Sequence, residues 1–160
     1  MRDASFSAFL RKALDAIAAE VPVAHRAIAR ALRTRTVSLD VDGDRVLLAM
    51  IDGRHTLRED AAASSIELHA DGATLAGLLE ARFTLEDALI EGTLVLRGAA
   101  DDLVALLEVV TAFIHGGARS LSVPPLLGAY LQHARGRRDV RGENLCGRDE
   151  GIHHGSQQEE

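Results

Sequence analysis

Residues 84–98 read TLEDALIEGTLVLRG, a stretch whose hydrophobic period changes from helix to strand with almost no loop between. Thr84 and Asp87 stand at N-cap and N3 spacing, a capping box with Asp in place of the usual Glu, so a helix is predicted to start at Leu85. Gly92 can adopt the positive φ that ends it. From Thr93 the pattern alternates, with Leu94 and Leu96 on one face and Thr93, Val95 and Arg97 on the other, until Gly98 closes the strand. So abrupt a turn presents two adjacent apolar walls, Leu89 with Ile90 and Leu94 with Leu96, to one interior. Asp87 is thereby assigned to capping, and Glu86 and Glu91 to an exposed face, rather than to acid–base chemistry.

Working outward, SSIELHA reads as a strand with Ile66 and Leu68 inward and Glu67 and His69 outward. Asp71 caps a short helix through Leu75, Leu78 and Leu79 that leads to Phe83. Beyond Gly98, Asp101 and Asp102 lie in a first helical turn, where the helix dipole favours them. Leu103, Leu106, Leu107, Val110 and Ile114 form the expected buried stripe, and Gly116-Gly117 are expected to stop the helix. SLSVPPLLGAYL then reads as coil and a short apolar helix able to fold back as a lid.

Upstream, TVSLDV alternates cleanly and Asp42-Gly43 supplies a hairpin turn. The return strand RVLLAMI is apolar on both faces and is expected to be covered on both. DGRHTLREDAAAS reads as a polar loop with room for a short edge strand. Phe6, Phe9, Leu10, Ala13, Leu14 and Ile17 mark a first amphipathic helix, with Asp3 or Ser5 as its cap. Pro22 opens a second that runs to about Arg33. The expected organisation is a helical segment over 1–35, a domain over 36–132, and a disordered tail over 133–160, where periodicity is lost. The order of elements gives an α+β fold with a largely antiparallel sheet covered by helices on one face.

The chain has 160 residues, 47% of them hydrophobic but only 3% aromatic, so one aliphatic core is expected. Net charge is −6, with Lys12 the sole lysine, which argues against nucleic acid as a partner. Arg26, Arg30 and Arg33 recur at i, i+4 and i+7, a solvated face or a contact for a protein partner or membrane surface. The N-terminus has no signal-peptide core and Cys146 is the single cysteine, so a soluble cytoplasmic protein is expected.

No phosphate loop, dinucleotide fingerprint, nucleophile elbow or HExxH occurs, so neither an enzyme nor a cofactor is expected. His55, His69 and His115 read as a loop, an outward strand and a helix C-terminal histidine. An enzyme would require them to converge on the interior. Cys146, His153 and His154 lack the spacing that would complete a metal site.

In order, SIELHA, LAGLLEARF, TLEDALIEG and TLVLRG resemble the conserved half of the sterol carrier protein two family. The resemblance runs from Ser65 to about Leu107. It implies that Leu75, Leu78, Leu79, Phe83, Leu89, Ile90, Leu94 and Leu96 line a cavity for a sterol, acyl chain or isoprenoid lipid. Leu48 and Met50 of the hairpin and Leu106 and Val110 of the later helix complete the expected lining. The implied function is binding and transfer of a hydrophobic ligand without catalysis, or an accessory role holding partner enzymes of lipid or isoprenoid-quinone biosynthesis. Ala81 stands where the family prefers Gly, Thr93 and Val95 replace frequent lysines, and one strand between the hairpin and SIELHA is not evident.

Overall fold

A computed structural model describes residues 5–59 and 63–143, giving the backbone path alone over 134–143. Six helices and five strands follow in the order α1 (Phe6–Glu20), α2 (Pro22–Leu32), β1 (Thr36–Val41), β2 (Asp44–Ile51), β3 (Arg54–Arg58), β4 (Ile66–Ala70), α3 (Gly72–Leu79), α4 (Leu85–Ile90), β5 (Leu94–Gly98), α5 (Ala100–Arg119) and α6 (Val123–Glu143). The strands form one sheet in the order β3-β2-β1-β4-β5. Every pairing is antiparallel except β1 with β4, which runs parallel in the centre.

Local chemistry places most boundaries. Ser5 caps α1 by accepting from the Ala8 N–H, and Asp71 caps α3 by accepting from the Thr74 N–H at 2.6 Å. The capping box of α4 is complete, because Asp87 Oδ2 also accepts from the Thr84 N–H at 2.9 Å. That contact holds the Asp87 carboxyl below its ordinary range. Asp42-Gly43 turns the first hairpin with φ of 54° and 84°. Asp52-Gly53 repeats that chemistry with φ of 51° and 74° and turns β2 into β3. The polar segment after β2 is therefore an edge strand, and the strand missing from the sequence reading is present. The same Asp-Gly dipeptide was the signal for it. Ala81 holds φ at 53°, the left-handed region that glycine occupies without strain.

Period two divides the sheet. Val37, Leu39, Val41, Val46, Leu48, Leu57, Ile66, Ala70 and Leu94 are buried on the face that carries the helices. The other face is solvated and carries the Arg45–Asp40 and Arg97–Glu67 ion pairs. RVLLAMI is thus covered on one side only. On the open side Leu47 is flanked by Ser38 and Arg58 across the ladder, while Ile51 is exposed.

Three further expectations are corrected. The Gly116-Gly117 pair does not stop α5, which continues to Arg119. Both glycines are buried, and a Cβ at Gly116 would lie 2.9 Å from the Ala24 Cβ and from Ile17 Cγ2. PPLLGAYL is no lid: α6 packs behind α1, with Tyr130 stacked on Phe9 at a ring separation of 4.9 Å. The tail expected from residue 133 is helical as far as Glu143, and residues 144–160, with Cys146, His153 and His154, lie outside the described residues.

The end of α1 is fastened to the α5–α6 corner by one carboxylate. Glu20 accepts from the Ser120 hydroxyl at 2.7 Å, the Leu121 N–H at 2.6 Å and the Ser122 N–H at 3.2 Å, and also from the Ser122 hydroxyl. These donors, led by the Ser122 and Ser120 hydroxyls, hold its carboxyl at about 2 against an ordinary 4.5. A lowered folded-state value means that the contribution is complete above pH 4.5 and is lost as pH falls towards about 2. The stability difference between wild type and Glu20→Ala is accordingly expected to shrink over that window, read by denaturant melts at successive pH values. An unchanged difference would show that these donors do not favour the ionised carboxylate.

Candidate functional site

Between the helix-bearing face of the sheet and α1, α3 and α5 lies an unfilled cavity of about 100 Å³. Every residue that lines it is apolar. The sheet contributes Val37, Leu39, Val41, Leu48, Leu68, Ala70 and Leu94, and α1 contributes Phe6, Phe9, Leu10 and Leu14. Ile28 enters from α2, Leu75, Leu78 and Leu79 from α3, and Leu85 from α4. From α5 come Leu106, Val109, Val110, Phe113 and Ile114. The strand positions arrive by period two, and the helix positions by spacings of three and four. No polar side chain enters the lining, so no hydrogen bond or charge can fix a ligand's orientation inside it, and only desolvation of hydrocarbon can drive binding.

Apart from Leu68 of β4, the lining residues that keep solvent exposure come from α3, α4 and α5: Leu75, Leu78, Leu79, Leu85, Val110, Phe113 and Ile114 are half-buried or exposed. The outlet therefore lies on the side of these helices. Phe83 stands beside it, its ring occupying the space that a Cβ at Gly77 would need, with Cε1 at 2.1 Å from that position. Gly77 thus lets the α3–α4 corner close on itself.

Of the twelve residues expected to line the interior, Leu48, Leu75, Leu78, Leu79, Leu94, Leu106 and Val110 do so. Met50 and Leu96 are half-buried in the surrounding core, and Phe83 packs with Leu94 and Ala88 beside it. Leu89 and Ile90 point away, Ile90 being 85% exposed. In a six-residue helix only one side can meet the sheet, and Ala88 takes that place with no exposure. The α1 residues were legible as an apolar stripe, but nothing local showed that the stripe bounds an empty volume.

The histidines do not converge on the interior. His69 faces outward, its Nδ1 3.8 Å from Asp40 Oδ1, and His115 is exposed on α5. His55 lies on the inner face of β3, where its Nε2 is 2.9 Å from Asp15 Oδ1 and its Nδ1 3.0 Å from His25 Nε2. Asp15 can only accept, so His55 donates to it through Nε2–H. Burial, and then the neighbouring His55, hold His25 below the ordinary imidazole range. This chain of contacts clasps α1, α2 and the edge strand together and touches no cavity residue. Among the described residues no cluster of three or more His, Cys, Asp or Glu side chains could hold a metal, and no single helix is long and apolar enough to cross a membrane.

The chain is similar to several solved structures. A conserved hypothetical protein of Thermus thermophilus, a possible sterol carrier protein, is 22% identical, with a TM-score of 0.45 over 72% of this chain and 90% of its own. The chain resembles sterol carrier protein 2. A structure of that protein is 19% identical, with a TM-score of 0.47 over 68% of this chain and 92% of its own. The sterol carrier protein 2 unit of the ubiquinone synthesis protein UbiJ is 17% identical, with a TM-score of 0.47 over 62% of this chain and 85% of its own. No protein-family model and no curated protein matches the chain. With TM-scores below 0.5, the likeness carries no argument.

Proposed function

We propose that the protein binds the hydrocarbon part of a lipid, a sterol, fatty acyl chain or isoprenoid, in the cavity beneath α1, α3 and α5, and carries or presents it without breaking a bond. The observation behind this reading is the lining itself, which draws apolar side chains from nine separate elements and admits no polar one. Each ligand methylene transferred there from water gains roughly 0.8 kcal/mol. Any headgroup has to stay at the outlet, where an unsatisfied polar group would not be buried.

A second reading is favoured by the size of the space. At about 100 Å³ it is smaller than the roughly 150 Å³ void that takes up benzene in an engineered core. A whole sterol requires α3 and α4 to move outward, whereas an accessory protein that holds partner enzymes requires no opening. The exposed arginines Arg26, Arg30 and Arg33 on α2 are the contacts that such a role, or a transient membrane contact, would use.

Native mass spectrometry of the purified chain, with titration of a fluorescent fatty acid and a fluorescent sterol, separates the two. Ligand binding is expected for wild type and is expected to be lost in Ala70→Phe, which fills the cavity from β4. A chain that copurifies with nothing and binds neither probe would sink the carrier reading and leave the accessory one.

A further inference from the structure

We propose that the protein is a twofold symmetric dimer whose interface is the groove between α2 and α5. This groove lies on the opposite side of α5 from the cavity, so it is independent of what the cavity holds. Helix α5 is not apolar on its core side alone: Leu106 and Val109 face the core, while Val104 and Leu107 face outward at 57% and 40% exposure, beside Glu108, Thr111, His115 and Arg119. These two exposed aliphatic side chains lack a cover. Across from it on α2 stands Val23, 66% exposed. The floor between is made of small residues, Ala24, Ala27 and Ala112, which leave a groove of about 490 Å³ that another helix can enter closely.

Charge selects a second copy as the occupant. Arg30 is exposed on α2, one turn beyond Ala27 of the groove floor, and Glu108 is exposed in the groove lining on α5, where Arg119 stands at the far end. No ion pair joins the two within the chain. Two contacts fix how the helices run. Arg35, just beyond the end of α2, meets Asp102 in the first turn of α5 at 2.6 Å, and Gly116 near the other end of α5 sits against Ala24. The helices are therefore antiparallel, and Arg30 stands level with Glu108.

A twofold axis parallel to these helices lays α2 of each copy over α5 of the other, antiparallel, with Arg30 opposite Glu108 of the second copy at two equivalent places. The outward valines and Leu107 close over the alanine floor. An anionic lipid surface fits less well, because Glu108 in the groove lining would face its phosphates, whereas a second copy places Arg30 against it.

Sedimentation equilibrium of the full chain over a range of concentrations tests the arrangement. Wild type is expected to dimerise. Arg30→Glu and Glu108→Arg are each expected to weaken the dimer at least about tenfold, since each sets like charges together twice. The double variant carrying both changes is expected to recover most of the wild-type affinity, and Leu107→Arg to be monomeric, all with unchanged far-UV circular dichroism. A monomeric wild type, or single reversals without effect, would overturn the dimer. So would wild type that stays monomeric but floats with phosphatidylglycerol vesicles in an Arg30-dependent way, which would give the groove to a membrane.

Discussion

Replacing Leu14 with Ala is expected to lower the free energy of unfolding by about 3 kcal/mol. Leu14 is 1% exposed, belongs to the main core cluster and lines the cavity. Truncation removes its transfer energy and enlarges a space that is already unfilled. Neighbouring side chains stand on the sheet and on α5, whose backbones are held by their own hydrogen bonds, so they collapse into it only in part. For a chain of this size the loss corresponds to a fall in melting temperature of roughly 6 to 12 °C. Denaturant melts read it as a lower midpoint with an unchanged slope. An apolar ligand that occupies the enlarged space at a hundred times its dissociation constant would restore about 2.7 kcal/mol. A loss below about 1 kcal/mol would mean that α1 does not pack as described.

The second large effect has a sign opposite to the one that helix propensity gives. Gly116 lies inside α5, and Leu in its place should gain roughly 0.8 kcal/mol in an exposed helix. Gly116→Leu is instead expected to cost about 3 kcal/mol. The reason is the approach of α5 to α1 and α2, since a Cβ there meets Ala24 Cβ and Ile17 Cγ2 at 2.9 Å. Ala24 Cβ is fixed to its backbone and cannot yield, whereas Ile17 can be shortened. In a double-mutant cycle Ile17→Ala should therefore recover part of the loss in the Gly116→Leu background, a coupling of about 1 kcal/mol, although it is destabilising alone. Additive losses would place the strain elsewhere.

The elements that were legible beforehand share a physical cause. The caps at Ser5, Asp71 and Thr84, the turn at Asp42-Gly43 and the hinge at Gly92, whose φ is 71°, each depend on a side chain and a backbone group within a few residues. The faces of β1, β4 and β5 follow from period two, which any half-buried strand must obey. In the short acidic cluster at 86–91 the capping role read for Asp87 is present, since Thr84 and Asp87 complete the box. Where a local signal was passed over, as at Asp52-Gly53, the structure shows it operating as it does at Asp42-Gly43.

What the tertiary structure decided depends on partners far apart in the chain. A double glycine reads as a helix stop until another helix is found against it. Leu89 and Ile90 look like wall residues until a six-residue helix spends its single buried position on Ala88. His25, whose neighbour His55 is thirty residues away, and Glu20, which closes on a corner a hundred residues later, carry no signature in their own surroundings. The sequence by itself determined the elements, their apolar faces and an α+β fold with helices on one side of the sheet, because those depend on local hydrogen bonds and periodicity. Only the packed structure decided which apolar faces meet, which leave the cavity unfilled, and which, on the outer side of α5, are left uncovered, because each of these is a matter of fit between surfaces that the chain brings together from a distance.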